Sequence, residues 1–285
     1  MTYTHILYET RDGVAHVTLN RPEKMNALGI GPGSNRDEIA RALAEADADP
    51  AVGCVLLSAA GRAFCGGGDL TGSKTPETVL DEHLFGEQLV KFYAGIRGLH
   101  KPVVAAVNGL CLGAGLGLIA QCDLVIAAED ARFGLIEGRI GHPGATEIVP
   151  LVGAAWAKFL ILTGELIDAR RAAEIGLVLT VVEPARLLER ARDLAQRIAR
   201  LPREAVLLNK ATVDAMNEAL TGTARRIGRQ HDAITKSMAR HAKAPDGRNF
   251  EDIIRAEGIE GLKRARDQQF SGPWLERDDS RGKAS

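Results

Sequence analysis

Short apolar runs alternate with longer amphipathic stretches through the first half of the chain. Residues 6–9 and 14–19 form two such runs around Arg11-Asp12-Gly13, and an Asp-Gly pair between apolar runs predicts a β-hairpin. Two glycine-rich segments, 66–68 and 109–117, each follow an apolar run, and the second is expected to continue into a helix that ends near Asp123. The other elements predicted here are helices from Ser34 to about Asp47 and from about Thr78 to Leu99, and strands over 52–57, 103–107 and 124–128.

The second half of the chain changes character after one further apolar run, residues 177–182. Apolar strands separated by helices favour an α/β core, which is predicted to span residues 1–200, with an α-helical region over residues 201–285. The predicted helices cover about 185–200, 203–217 and 223–240, with one or two more over 251–267 beyond a loop at 243–247, and the end of the chain, 271–285, is expected to fray.

The overall charge narrows the possible partners. The chain of 285 residues has 36 Lys and Arg against 37 Asp and Glu, so its net charge of −1 argues against a nucleic-acid or membrane partner. No basic and apolar leader is seen at the N-terminus, and the apolar stretch 103–120 contains Asn108 and four glycines, so no membrane span is predicted. Four cysteines without CxxC spacing argue against a disulfide scaffold or a metal site and favour a cytoplasmic location.

The two glycine-rich segments are the first candidates for chemistry. Glycine permits unusual backbone angles and close approach to a ligand, and two strand-to-helix turns side by side can direct free amides at one point. Such a pair of amides is an oxyanion hole. The alternative is that these glycines only permit tight turns and close packing.

The second segment also invites other interpretations. It is not a phosphate-binding P-loop, because no Gly-Lys-Ser/Thr follows, and its glycine spacing does not match a dinucleotide-binding loop. The segment Gly109-Leu110-Cys111-Leu112-Gly113 resembles the nucleophile elbow of α/β-hydrolases with cysteine as nucleophile. That hydrolase would need a downstream acid and histidine, for which Asp168 or Asp193 and His231 or His241 stand in the required chain order.

An ordered series of motifs resembles the enoyl-CoA hydratase/isomerase family, also called the crotonase superfamily. Each motif is weak by itself, but together they follow the family order with near-family spacing over about residues 1–215. The matching segments are Leu19-Asn20-Arg21-Pro22, Asn26-Ala27-Leu28, Phe64-Cys65-Gly66-Gly67-Gly68-Asp69-Leu70, Lys101 to Gly109, Gly113-Ala114-Gly115, Cys122-Asp123-Leu124, Ala131-Arg132-Phe133-Gly134, and Leu162-Thr163-Gly164 with 169–177.

The resemblance implies a spiral of ββα units and a homotrimer or homohexamer with the helical region at the subunit contacts. It implies an acyl-CoA substrate, with coenzyme A as part of the substrate and no tightly bound cofactor. Gly68 and Ala114 would donate the two oxyanion amides. The remaining residues assigned to CoA by the resemblance are Gly66, Gly68 and Asp69 in the first loop, and Lys24, Lys263, Arg264 and Arg266 as candidates for the phosphates, each of which could instead be a solvated surface charge.

The acid/base residues depart from the family pattern. A hydratase of this family has two glutamates, and here Gly117 stands at the first position whereas Glu137 stands at the second. Two carboxylates hold and activate a water for hydration, whereas one suffices to move a proton between carbons. The following segment lacks the paired glycines of the family, so His142 and Glu147 become candidate second acid/base groups, or else a turn residue and a helix cap.

The pattern therefore predicts chemistry on an acyl-CoA thioester through an enolate, with Glu137 as a single base in the manner of an isomerase. The alternatives are a true 2-enoyl-CoA hydratase with a substitute acid, an acyl-CoA thioester or C–C hydrolase, and a non-catalytic acyl-CoA-binding protein. The sequence leaves the acyl group open.

Overall fold

Ten strands form two sheets in the computed structural model, which describes residues 2–70, 78–142, 144–239, 241–270 and 272–275. The strands are β1 (Ile6–Arg11), β2 (Val14–Leu19), β3 (Cys54–Ala59), β4 (Ala63–Cys65), β5 (Val103–Val107), β6 (Leu110–Leu112), β7 (Leu124–Ala128), β8 (Arg132–Gly134), β9 (Leu166–Asp168) and β10 (Thr180–Val182). The larger sheet has the order β1-β2-β3-β5-β7-β10, and the smaller has the order β4-β6-β8-β9. All pairings are parallel except β1 with β2 and β8 with β9.

From β3 to β8, consecutive strands alternate between the two sheets, which winds the chain into a spiral. Each of the pairs β3–β4, β5–β6 and β7–β8 contributes one strand to each sheet. The α/β core and the helical C-terminal region are therefore confirmed. The helices are α1 (Asn35–Ala48), α2 (Val79–Arg97), α3 (Ala114–Ile119), α4 (Val149–Thr163), α5 (Ala169–Glu174), α6 (Leu187–Ala199), α7 (Arg203–Ala239) and α8 (Phe250–Asp267).

Local signals in the sequence set several of these boundaries correctly. Asp12 and Gly13 have φ of 52° and 76°, the left-handed conformation that a two-residue hairpin turn requires between β1 and β2. Ser34 caps α1 by accepting a hydrogen bond from the Asp37 amide at 3.2 Å. Thr78 begins α2 with a reciprocal capping box.

The central strands are buried on both faces, as parallel strands in an α/β protein are. Every residue of β5 is at most 1% exposed. One face of the larger sheet packs on the main core, and the other is covered by α6. The buried α6 side chains in this contact are Leu187, Ala191 and Ala195, spaced four residues apart, so one face of the helix packs on the sheet.

Several predicted boundaries in the second half are wrong. The two helices predicted over 203–217 and 223–240 are one helix, α7. Gly222 weakens a helix by about 1 kcal/mol but keeps its hydrogen-bonding amide, and packing of α7 along α2 offsets that cost. The run 177–182 forms a strand only at β10, and the segment 109–117 contains β6 before it reaches α3. In the predicted frayed end, residues 271 and 276–285 lie outside the described residues.

One helical stretch of the described residues, Thr146–Thr163, is long and apolar enough to cross a membrane by length and composition alone. It is not one regular helix, because Gly153 interrupts α4 with φ of 74°. The absence of a membrane partner stays a prediction.

Asn26 joins the segment after β2 to the strand that leads into the first glycine loop. Its side chain is fully buried and donates to the carbonyls of Ala60 and Ala63 at 2.9 and 2.8 Å, while its oxygen accepts from the Arg21 amide at 2.8 Å. Its backbone is left-handed, with φ of 53°, a conformation that asparagine tolerates better than most residues. Asn26 thus holds two segments of the family motif against each other.

We expect Asn26→Ala to lower the free energy of unfolding by about 2–4 kcal/mol, because it leaves two buried carbonyls and one amide without partners. Denaturant unfolding measures this loss. Asn108→Ala is the control, since the side-chain amide of Asn108 donates one hydrogen bond, to the Gly61 carbonyl at 2.8 Å. Equal losses in the two variants would contradict the bridging role of Asn26.

Candidate active site

The two glycine loops pack directly against each other. They follow β4 and β6, which are neighbouring parallel strands, so both loops leave the same edge of the smaller sheet. A Cβ atom at Gly115 would lie 2.7 Å from the Cβ of Cys65, and one at Gly67 would lie 3.6 Å from the Leu112 carbonyl oxygen. The glycine at position 115 is therefore required by the close approach of two backbones.

Two amides in these loops are left without partners. In the first loop, the Gly66 amide donates to the Met25 carbonyl at 2.8 Å and the Asp69 amide donates to the Leu28 carbonyl at 2.9 Å. Within the described part of the chain, the intervening Gly68 amide and the Ala114 amide at the start of α3 donate no hydrogen bond. Both amides are thus available to a bound carbonyl oxygen, as an oxyanion hole requires.

Glu137 lies beside the second loop. It belongs to a short 3-10 helix, Ile136–Ile140, that follows β8. Its Oε2 lies 2.9 Å from the point that a Cβ on Gly113 would occupy, so the carboxylate sits over the loop next to Ala114. Oε2 is buried and has no hydrogen-bond partner among the described residues, and burial raises the pKa of Glu137 to about 7.

Tyr93 fills the space at Gly117, the position at which the resemblance places the other glutamate of a hydratase. A Cβ on Gly117 would lie 3.0 Å from the Tyr93 hydroxyl, which donates to the Ala114 carbonyl at 3.2 Å. Burial raises the pKa of Tyr93, and the charges of Glu147 and Glu137 raise it further. The phenol is therefore neutral and donates its hydrogen bond to the second glycine loop.

The structure brings His142 and Glu147 near this site in different ways. The His142 amide donates to the Glu137 carbonyl at 3.0 Å, but burial, assisted by the charge of Lys236, lowers the pKa of its imidazole to about 4. His142 is therefore neutral at pH 7. Glu147 faces Asp232 on α7, whose pKa is raised to about 6, by burial first and then by Glu147.

The residues predicted to contact CoA lie in two parts of the structure, one beside the first glycine loop and one on α8. Lys24 lies 3.7 Å from Asp69, and Asp69 also forms an ion pair with Arg21 at 3.0 Å. Asp69 therefore ties the Arg21-Pro22 motif to the first glycine loop. Lys24 is half exposed beside that loop, a position open to an anionic ligand.

The other basic candidates lie on α8 and pair with acidic neighbours on the same helix. Lys263 pairs with Glu260 at 2.7 Å, and Arg266 pairs with Asp267. The pKa of Glu260 is lowered by Lys263 first and then by Arg264 and Arg62. Arg62, immediately before β4, is therefore a further basic group near this cluster, and the sequence analysis did not single it out.

The cleft between α2 and α7 is separate from this site. It is lined by Arg97, Lys210 and Asp214, among others, and Lys210 is neutralised there by Asp123 and Asp214. It shares no residue with the glycine loops.

Comparison with known proteins agrees with this geometry. The model of the enoyl-CoA hydratase/isomerase family matches residues 9–251. The chain belongs to this family. A probable enoyl-CoA hydratase of Rhizobium meliloti is 37% identical over 218 residues, which cover 75% of this chain and 82% of that protein. An (E)-benzylidenesuccinyl-CoA hydratase of Thauera aromatica is 37% identical over 200 residues, covering 68% and 76%.

A solved structure supports the same assignment. The enoyl-CoA hydratase/isomerase from Xanthobacter autotrophicus Py2 superposes with a TM-score of 0.86 at 33% identity and covers 95% of this chain and all of that one. The crotonase-type spiral predicted from the motifs is thereby confirmed.

The cysteine-nucleophile interpretation is wrong for this member of the enoyl-CoA hydratase/isomerase family. Cys111 lies inside β6 and is fully buried, and burial raises the pKa of its thiol well above the usual range. A nucleophilic cysteine needs the opposite, an accessible thiolate.

Sequence reasoning missed three polar residues around the site: Tyr93, Asp232 and Arg36. A signal was present for Arg36, because it falls three residues before Ile39 and seven before Leu43 on the buried stripe of α1. A charged residue on an apolar stripe indicates a buried polar site. Tyr93 and Asp232 lie on α2 and α7, and no local pattern relates them to Gly117 or Glu147.

We expect Glu137→Gln to raise the free energy of unfolding at pH 8 by up to about 3 kcal/mol. The folded state holds the Glu137 proton up to a pKa of about 7, whereas the unfolded state releases it near 4.5, so the wild-type carboxylate lowers stability progressively between these values. The gain should shrink to about 1 kcal/mol or less at pH 5.

Denaturant unfolding at several pH values measures this dependence. The control is Glu174→Gln, because that carboxylate is 49% exposed on α5, and we expect a change within about 0.5 kcal/mol at every pH. A gain for Glu137→Gln that does not vary with pH would contradict the buried, protonated carboxylate.

Proposed function

We propose that this protein transfers a proton between carbons of an acyl-CoA thioester, with Glu137 as the single catalytic base. The supporting observation is the buried Glu137 carboxylate over Gly113, whose Oε2 has no hydrogen-bond partner among the described residues, together with Gly117, which has no side chain and whose space is filled by Tyr93. The arrangement has one carboxylate next to the free amides and suits a reaction that needs one base.

In the proposed mechanism the thioester oxygen accepts hydrogen bonds from the Gly68 and Ala114 amides. These amides stabilise the negative charge that develops on that oxygen when a proton leaves the α-carbon, a contribution of about 3–4 kcal/mol for each donor. Glu137 takes that proton and returns it to the γ-carbon of the resulting dienolate, so a 3-enoyl thioester becomes a 2-enoyl thioester. A pKa of about 7 suits both steps, because the group can take and release a proton at neutral pH.

Hydration of a 2-enoyl-CoA is the second candidate. It is favoured by the names of the related proteins, which are hydratases, and by Glu147, whose charge acts on the Tyr93 phenol. In this case Glu147, directly or through Tyr93, would supply the acid/base group that Gly117 lacks. His142 is a weaker substitute, since burial keeps its imidazole neutral. Thioester or C–C hydrolysis, and binding without turnover, stay as further alternatives.

The CoA contacts and the assembly belong to the same proposal. Lys24 beside the first loop, together with Arg62, Lys263, Arg264 and Arg266, would meet the phosphates of CoA, while the backbone of Gly66 and Gly68 would meet the adenine. We also propose a homotrimer or homohexamer in the cytoplasm. Exposed apolar side chains along α7 support subunit contacts there: Met216, Leu220 and Met238 are 66%, 85% and 66% exposed.

We expect the wild-type protein to isomerise a 3-enoyl-CoA much faster than it hydrates crotonyl-CoA, because no second carboxylate fixes a water. The kcat/KM of isomerisation should rise with pH through about 7, since Glu137 must lose its proton to act as a base. Glu137→Gln should lower this rate on the order of 10²-fold or more. Chromatography and mass spectrometry of the products measure both reactions.

Glu147→Gln is the control for that experiment. It should keep the isomerisation rate and its pH dependence if Glu137 acts alone. Crotonyl-CoA hydration at about 10²–10³ s⁻¹, lost in Glu147→Gln, would instead establish the hydratase. Adding a carboxylate with Gly117→Glu would have to be combined with a smaller residue at Tyr93, because the phenol occupies that space.

We expect Gly68→Pro to lower kcat on the order of 10²–10³-fold, because proline removes one oxyanion donor. Gly68→Ala is the matched control, since it keeps the amide and its Cβ would meet no atom of the described residues within 4 Å. Circular dichroism establishes that both variants are folded. Equal activity of the two variants would exclude the Gly68 amide as a donor.

A further inference from the structure

Arg36 is a buried cation in the first turn of α1, on the side of the helix that faces the site. The residue is only 7% exposed, and its Cζ lies 5.4 Å from the centre of the Phe92 ring on α2. Neither Nε nor Nη1 has a hydrogen-bond partner among the described residues, although both atoms are buried. The cation–π contact with Phe92 offsets part of the solvation energy that the guanidinium loses on burial. It replaces none of the missing hydrogen bonds.

A guanidinium with two buried nitrogens that lack partners among the described residues is costly for the folded protein. Burial of a charge without a partner is unfavourable by several kcal/mol, and aromatic stacking contributes about 2 kcal/mol at most. If position 36 served only the fold, an apolar side chain could occupy the same place on the buried stripe with Ile39 and Leu43 without this energetic penalty. The unused donors therefore point to a ligand.

The charge acts on groups at the heart of the site. Burial raises the pKa of Cys65 to about 11 and raises that of Tyr93, and in both cases the Arg36 charge acts in the opposite direction. Cys65 ends β4, three residues before Gly68, and the Tyr93 hydroxyl contacts Ala114 and Gly117. The Phe92 ring in turn packs edge-on against Tyr93, with ring centres 5.2 Å apart, so Arg36 is linked through Phe92 to the side chain that contacts Ala114.

We infer that Arg36 binds a carboxylate on the acyl group, so that the preferred substrate is the CoA thioester of a dicarboxylic acid. A carboxylate matches the planar fork of donors on a guanidinium and would satisfy both buried nitrogens. Glu137 and Arg36 then have separate tasks: the first moves the proton, and the second selects the acyl group by its charge. The inference rests on the proposed function, because it takes an acyl-CoA as the ligand.

Equilibrium binding of saturated acyl-CoA pairs tests this selectivity without turnover. The probes are succinyl-CoA and glutaryl-CoA, each compared with its own terminal methyl ester, which keeps the shape and removes the charge. We expect the wild-type protein to bind at least one free acid about tenfold or more tightly than its ester, a difference that a charge-assisted hydrogen bond supplies. Isothermal titration calorimetry gives each Kd.

Variants of α1 separate Arg36 from other charges. Arg36→Met should reduce the ratio of the Kd of the ester to the Kd of the free acid to about one. Arg36→Lys should restore part of the wild-type ratio. Arg41→Met is the control, because Arg41 is on the same helix but pairs with Asp37 at 3.3 Å and is 40% exposed, so it should keep the wild-type ratio. Arg36→Met should unfold at the same or a higher temperature, since it removes an unpaired buried charge.

Three outcomes would overturn the inference. If the free acids and their esters bind equally well to the wild-type protein, Arg36 does not select a carboxylate, although the acyl-CoA function stands. If Arg36→Met keeps the preference or unfolds at a much lower temperature, another residue binds the carboxylate or Arg36 serves the fold. If no CoA ester binds at all, the proposed function fails as well.

Discussion

The close approach of the chains after β4 and β6 is the constraint on which the site depends. Cys65 and Gly115 come so near that a Cβ atom at position 115 would lie 2.7 Å from the Cβ of Cys65. Because the two strands are parallel neighbours, the loops that follow them open at the same edge, and the free amides of Gly68 and Ala114 belong to adjoining turns. The glycines thus allow two chain segments to approach closely, and the two free amides lie in adjoining turns because of that packing.

Two buried ionisable side chains, Glu137 and Arg36, have atoms without a hydrogen-bond partner among the described residues, which makes their charged forms costly. Glu137 avoids part of the cost by holding a proton up to a pKa of about 7, whereas a guanidinium cannot release its proton in the same way. The folded state tolerates both because the strands beneath them are buried on both faces and provide the stability. Unpaired polar groups in such a rigid setting are typical of sites that are built for a ligand and not for the fold.

The space at Gly117 is filled by a side chain from another helix. The Tyr93 phenol occupies that space from α2, and Glu147 and Asp232 approach from a short 3-10 helix and from α7. Since α7 also carries Lys236, whose charge acts on His142, the C-terminal helical region shapes the electrostatics of the site.

The sequence by itself determined the elements whose causes are local. The Asp12-Gly13 turn, the caps at Ser34 and Thr78, and the buried strand β5 all follow from conformational preference or burial within a few residues. The motif series located Glu137 and the two glycine loops in the same way, because each motif is a short run of residue types in a known order.

Only the tertiary structure decided which side chains meet at the site. The continuity of α7 through Gly222 depends on its packing along α2, and the filling of position 117 depends on a tyrosine from another helix. Arg36 is a charged residue on an apolar stripe in the sequence, but its position against the Phe92 ring is set by the packing of α1 on α2. Such contacts join residues far apart in the chain, and hydrophobic periodicity reports which face of a helix is buried without reporting what it is buried against.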